Sequence, residues 1–416
     1  MSVDALLESL RCLDVHGEEN DWTGPDPYEA LNATRFTWPL RDTTLGKRVL
    51  LQVVKRSPVN LRPVMGIKPT PNSAAAAWAL SAHCLGGFLD ADKERMRIER
   101  GVERVLALRS PHFTDNAWGY KFPTQSRVFF YERDAPSTVA TVWAGHALLD
   151  AAERLDRDDL VEHADCAGRF LIAHVPQTTD EPGAFFGYLV GDRSPIHNSN
   201  LHACAFLARL GRRVGNEVYL ASATRGVEWS LARQRPDGSW PYAEMSSLGW
   251  VDGFHTGYVL DALDVCMRAH IPLDILPAWE RGLAFYRAHL FLDNGTPKYY
   301  ANAVYPIDSS CVAQGIQTLA LAADRDACCL SQSWGVLEWA LRRMRRQDGL
   351  FMFQRRRLWA NRIPHMRWAE ASTFLAMAHL LAAQRCRARA TSSGVGPVIL
   401  RHNLLPAQLT RCSAGV

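Results

Sequence analysis

The chain has no apolar run approaching the roughly 18 residues needed to cross a bilayer, and its start, MSVDALLESLRCLDVHGEEN, lacks the basic-then-apolar order of a secretory leader. A cytoplasmic protein without a transmembrane segment is expected, with peripheral membrane contact left open. Cysteine occurs ten times but never as CxxC or in Cys/His zinc spacing, and apart from Cys328-Cys329 each stands alone. Neither a disulfide framework nor a metal site is expected. GxGxxG, P-loop and nucleophile-elbow motifs are missing, so no cofactor is expected. Charge of one sign is also scarce, with 47 Lys and Arg against 43 acids. The arginine clusters at 342–346 and 355–357 read as solvated helix ends, and no nucleic-acid partner is expected.

Strand-like alternation is confined to short runs near turns, whereas apolar spacing at i, i+3, i+4 and i+7 recurs in paired blocks. These run 74–86 with 93–108, 137–153 with 157–175, 198–212 with 216–234, 253–269 with 276–290, 309–323 with 330–346, and finally 367–384. With 47% hydrophobic and 22% charged residues the chain can bury a large core. After the later helix of each pair a turn meets an aromatic, as in Asp115-Asn116-Ala117-Trp118, Gly183-Ala184-Phe185, Asp237-Gly238-Ser239-Trp240 and Asp348-Gly349-Leu350-Phe351. A further turn, Asp293-Asn294-Gly295, continues the period of roughly 55 to 65 residues. Helical hairpins at that period predict an all-α chain folded as an (α/α)6 toroid, its toroid domain spanning 71–387. The segment 1–70 would pack on or close the ring, 1–12 or the vicinity of 28–55 supplying the missing outer helix. Residues 388–416 lose periodicity and read as a disordered tail.

The stretch Gly226-Val-Glu-Trp-Ser-Leu-Ala-Arg-Gln234-Arg-Pro-Asp237-Gly238-Ser-Trp240 resembles the QW repeat of squalene cyclases and prenyltransferase-type toroids, where Gln and Trp tie one hairpin to the next. A resemblance covering about 70–390 is to toroid proteins encoded with bacterial exopolysaccharide and capsule genes. It rests on WGYKFPTQSRVFF (118–130), APSTVATVWAGHALLDAA (135–152), IHNSNLHACAFLARL (196–210), WVDGFHTGYVLDAL (250–263), YPIDSSCVAQGIQTL (305–319) and HMRWAEASTFLAMAHLL (365–381). That resemblance implies a role in making or modifying a bacterial polysaccharide, without an established reaction.

Polar residues of these stretches fall at the starts of the first helix of each hairpin, which a toroid gathers at one mouth. Asn72, Ser73, Ser137, Thr138, Asn198, Asn200, Asp252, His255, Asp308, Ser309, Arg367 and Trp368 would form a polar rim. Helix N-termini there favour anions, although Asn, Ser and Asp at such positions also serve as N-caps. Asp252, His255 and Asp308 are the candidate catalytic residues, because two carboxyls and an imidazole can share proton transfer at a glycosidic bond or a uronic acid. Trp118, Tyr120, Trp240, Trp250 and Trp368 could stack on sugar rings, with Asn198, Asn200 and Gln314 as hydrogen-bonding partners. Arg127 and Arg367 could fork onto a carboxylate or phosphate, or pair instead with Asp134 or Glu370.

A sugar or glycan partner is therefore expected, whether anionic, lipid-linked or nucleotide-linked, modified by hydrolysis, elimination or uronate epimerisation. The alternatives are a terpenoid-cyclase-like enzyme acting on an isoprenoid in an apolar cavity, and a non-catalytic glycan-binding scaffold. Asp156-Arg157-Asp158-Asp159 matches the DxDD acid motif of terpenoid cyclases, but its place between paired helices assigns it to an outer turn.

Overall fold

The computed structural model describes residues 2–35 and 42–393. Among them lie fourteen α-helices: α1 (Val3–Glu19), α2 (Thr44–Arg56), α3 (Arg62–Met65), α4 (Ser73–Leu85), α5 (Ala91–Ala107), α6 (Thr138–Leu155), α7 (Asp158–His174), α8 (His197–Val214), α9 (Glu217–Leu231), α10 (Gly253–Arg268), α11 (Leu276–His289), α12 (Ser309–Ala322), α13 (Ala327–Arg343) and α14 (Ser372–Ser393). Strands are two or three residues long and join loops.

Sequence sorts the helices into two rings. α4, SAAAAWALSAHCL, is apolar nearly all round and buried on nearly every residue. α5, ADKERMRIERGVERVLA, buries a stripe through Ile98, Gly101, Val102 and Val105 and turns its charges to water. The same contrast places α4, α6, α8, α10, α12 and α14 in an inner ring, each packed on the next and α14 back on α4. α5, α7, α9, α11 and α13 pack outside their partners, and α1 takes the sixth outer place against α14. The chain is an (α/α)6 toroid closed by its own N-terminal helix.

The closure is ionic as well as apolar. Asp14 of α1 meets His83 of α4 at 2.9 Å and Arg97 of α5 at 3.1 Å, while Glu18 accepts from Trp22 and from Arg104. Burial pushes the Asp14 carboxyl up, but His83 and Arg97 together outweigh it and hold the carboxyl below the usual range. Asp14, Glu18 and His83 lie close enough to share an ion, yet Arg97 and Arg104 already meet their charge.

The recurring turns are spacers between outer helices. Gly183, Gly238, Gly295 and Gly349 all have positive φ. A Cβ on Gly238 would lie 2.4 Å from the Arg281 carbonyl oxygen of the next outer helix, so only glycine fits. Gln234 donates to the carbonyls of Gly238 and Ala278. The QW-like stretch therefore ties hairpins together.

The boundaries differ from expectation by three residues or more at the end of α9, which stops at Leu231 and not 234, at both ends of α13, and at the last inner helix. α13 begins three residues earlier than the predicted 330 because Asp326 caps it, accepting from the Cys328 amide. The last inner helix enters through a π-helical turn, Met366–Ala371, and extends to Ser393, past the predicted 384 and into the segment read as tail. Residues 394–416 of that tail lie outside the described residues. Cys328 and Cys329 are both free thiols.

Candidate functional site

The loop leaving each outer helix returns to the start of its own inner helix. Tyr120 bridges to Asn72, Leu189 to Ser137, Ala243 to Ile196, Tyr300 to Asp252 and Gln354 to Asp308. The sixth connection comes from the N-terminal segment, with the Met366 amide donating to the Pro25 carbonyl. These stitches hold six loops around one mouth, over the N-terminal ends of the inner helices. α2 lies across its edge, with Arg48 donating to the Arg127 carbonyl and Asn361 to the Lys55 carbonyl.

The result is a cavity of about 590 Å³. Six cations line it, Arg48, Lys55, Arg56, Arg127, Arg356 and Arg367, together with His255 and the tyrosines 28, 120, 131, 188, 242, 299 and 300. No Asp or Glu is among the described residues of the lining. Desolvation raises the phenol pKa of Tyr120, Tyr242 and Tyr299, so these are neutral hydroxyl groups at physiological pH.

One wall carries a histidine oriented by a carboxylate. Asp252 caps α10 by accepting from the His255 amide at 2.9 Å, and its other oxygen meets the His255 Nδ1 at 2.6 Å and the Trp250 indole at 2.9 Å. Fixing Nδ1 leaves Nε2 as the ring atom available to a ligand. The imidazole packs against Tyr242, Tyr242 stacks on Trp250 at 5.0 Å, and the Arg127 guanidinium lies over the Trp250 ring at 4.9 Å. Elsewhere in the lining Arg367 forks onto Asp26 at 2.7 and 3.0 Å, donates to the Tyr120 hydroxyl and lies against the rings of Tyr120 and Trp368. Its partner is neither Asp134, which pairs with Lys121, nor Glu370, which accepts from the Phe351 amide.

Tyr120, Arg127, Trp250, His255, Arg367 and Trp368 thus meet in the mouth, with Asp252 directly behind His255. The other candidates do not line it. Asp308 spends one oxygen on Ser310 and the other on Gln354, and it is Gln354 that reaches the cavity. Trp118 is fully buried, donating to the Val105 carbonyl, and Trp240 is buried against Gly282 of α11. Asn200 binds the Phe186 amide, the Gly226 carbonyl and Ser230. Asn198 is buried with its Oδ1 unpartnered. Asn72 and Ser137 are caps.

Gln314 belongs to a second chamber of about 200 Å³ along the ring axis, and Trp368 lines both spaces. Ring contacts run from Trp143 through His202, Tyr258 and Phe254 to Trp368, linking the walls of the two spaces. Burial lowers His146 and His202 to about 3. It raises Asp261 to about 7, against the hydrogen bonds from Thr318, Gln317 and Gln314.

Sequence reasoning missed Asp26, Tyr28, Arg48, Lys55 and Arg56, which come from the N-terminal segment, and Asp261 and His202 in the lumen. One available signal was an aromatic-x-Tyr spacing. Trp118-Gly-Tyr120, Phe186-Gly-Tyr188 and Trp240-Pro-Tyr242 each bury the first ring and place the tyrosine in the cavity.

The DxDD-like run is on the surface, with Arg157 paired to Asp159 and Asp158 almost fully exposed. No helix among the described residues is long and apolar enough to cross a membrane.

The chain matches no family model and no curated protein. Among solved structures it is similar to a cellobiose 2-epimerase from Bacillus thermoamylovorans, at a TM-score of 0.60 and 10% identity over 76% of this chain and 88% of that one. A GH76 alpha-mannanase from Bacteroides thetaiotaomicron gives 0.58 and 14% over 78% and 89%. A polysaccharide lyase gives 0.55 and 11% over 94% and 99%. At these identities the likeness establishes the toroid fold.

Proposed function

We propose that this chain is a glycan-modifying enzyme that removes the proton beside the carboxylate of a uronic acid residue. The observation that carries the reading is the lining of the mouth: cations, neutral phenols and one carboxylate-oriented imidazole, without a carboxylate. Glycoside hydrolysis in most families requires two carboxyl groups flanking the scissile bond, and the mouth supplies none. An acidic sugar fits the cations. Arg127 or Lys55 would neutralise its carboxylate and acidify the neighbouring C5–H, since Arg367 is already balanced by Asp26.

His255 Nε2 takes the C5 proton, its Nδ1–H held by Asp252. In elimination the C5–H electron pair forms the C4–C5 double bond, the C4–O bond breaks, and a tyrosine hydroxyl protonates the departing oxygen. In epimerisation the same carbanion is reprotonated from the other face. In epimerisation a tyrosine hydroxyl on that other face gives the proton, so both reactions leave His255 protonated and a tyrosine as its phenolate, and solvent carries a proton from the first to the second to reset the site. The polar lining weighs against the isoprenoid alternative, which calls for Phe, Trp and Leu walls. The similarity of the mouth-forming stretches to exopolysaccharide-cluster proteins supports a bacterial polysaccharide setting, in the cytoplasm.

The test is incubation with uronate-containing oligosaccharides in deuterated water. Elimination yields an unsaturated, ultraviolet-absorbing product, and epimerisation incorporates one deuteron at C5. Binding without either change would leave a glycan-binding scaffold, and shortening without unsaturation would restore hydrolysis.

A further inference from the structure

Exposed aliphatic side chains are costly in water, and around this mouth they gather on one side. On α2, Leu45, Val49 and Val53 stand at i, i+4 and i+8 and all face solvent, Leu45 at 69% exposure. Phe130 and the hairpin tip Leu358-Trp359 are exposed as well, Leu358 at 92%. Lys47 lies over the Phe130 ring at 4.0 Å, and Asn361 of the other hairpin holds the Lys55 carbonyl, so the three pieces form one rim.

The rim is also mostly cationic, with Asp42 before α2 and the exposed Glu132 beside Phe130 as its acids. No carboxylate occurs between Asp42 and Asp90, or between Asp348 and Glu370, while Lys47, Arg48, Arg56, Arg356 and Arg357 all fall in those intervals. Adjacent apolar and cationic arcs on one short helix, flanked by Trp and Phe, are the composition of an interfacial membrane element.

We infer that this rim docks on an anionic lipid bilayer, turning the cavity mouth towards the headgroups. Charge complementarity selects the occupant. Two copies of the chain meeting through this face would oppose like charges, whereas anionic lipids attract each cation near the surface. The inference extends the proposed uronate chemistry by naming where its substrate is met, namely on lipid-linked glycans at a membrane surface.

Vesicle co-sedimentation of the full chain tests it, comparing mixed phosphatidylglycerol–phosphatidylcholine vesicles with phosphatidylcholine alone. Salt-sensitive binding to the anionic vesicles is expected. Val49→Asp with Val53→Asp, and separately Leu358→Ser with Trp359→Ser, should each weaken it by roughly tenfold or more, with the unfolding temperature and turnover of a soluble oligosaccharide unchanged. The inference is overturned if neither vesicle is bound, if both double variants bind like the parent, or if sedimentation shows a dimer that the same substitutions dissociate. Binding that arises only after removal of 394–416 would give the rim to the tail instead. Vesicle binding without turnover of any uronate would sink the proposed chemistry and leave the docking face standing.

Discussion

Asp252→Asn separates the chemistry from the fold with little change of shape. Asn caps a helix as well as Asp does, so α10 keeps its first turn. The other oxygen is the sensitive one, because Oδ2 accepts from both His255 Nδ1 and Trp250 Nε1. An amide cannot cap the helix with its oxygen and accept two further hydrogen bonds with its nitrogen. The neutral imidazole relieves the conflict by moving its proton to Nε2 and accepting from the new amide at Nδ1. That tautomer presents an N–H to the cavity where proton abstraction needs a lone pair. The unmatched Trp250 indole costs about 1 kcal/mol of stability, while turnover falls on the order of a hundred- to ten-thousand-fold, about 3–5 kcal/mol of barrier. Asp308→Asn is the matched control, because the Gln354 amide can rotate to accept from the new Asn; less than about threefold change in turnover is expected. Nitrogen-15 chemical shifts of the histidine rings read the tautomer without any substrate. Wild-type His255 already protonated at Nε2, or Asp252→Asn leaving both tautomer and turnover unchanged, would refute the reasoning.

Three further outcomes follow from the packing. Burial raises the folded pKa of Asp261 from the ordinary carboxylate value of 3.8 to about 7, so its destabilising ionisation begins near pH 4 and is complete above pH 7. Asp261→Asn should therefore gain roughly 2 kcal/mol relative to the parent between pH 5 and pH 8 in urea unfolding; an equal difference at both values would contradict it. Gly238→Ala places a Cβ against the Arg281 carbonyl at φ +88°, and thermal unfolding should register a loss of roughly 2–4 kcal/mol. Asp14→Asn removes the carboxylate that pairs with Arg97 and His83. A loss of roughly 3 kcal/mol is expected above pH 4, fading as pH falls through the depressed Asp14 pKa, with earlier proteolysis of residues 1–19; unchanged protease resistance would show that α1 is held by apolar contact alone.

The inner and outer helices were legible because their patterns differ in kind. SAAAAWALSAHCL has no polar face to offer water, and ADKERMRIERGVERVLA has little else. Asp252 and His255 were legible too, since an acid three residues before a histidine at a helix start fixes their geometry locally. Asp308 has the same capping position but a different surrounding. Ser310 and Gln354 consume both of its oxygens, and Gln354 arrives from 46 residues away. Local sequence places a residue at the mouth; the side chain that lies over it is set by the stitching of distant loops.

The same limit explains why the N-terminal segment was the least legible part of the site. Its residues contribute through ring closure, a contact between the two ends of the sequence: Asp26 meets Arg367 across 341 positions, and Lys55 holds Asn361 across 306. No helical or strand period encodes such pairs. Closing the toroid with α1 obliges the chain to cross from the outer ring to the first inner helix, and it makes that crossing over the mouth. The crossing brings the cavity Arg48, Lys55 and Arg56, half of its lining cations. Closure of the fold and the electrostatic character of the cavity are therefore one structural event, and a change that loosens α1 should weaken anion binding at the mouth as well as stability.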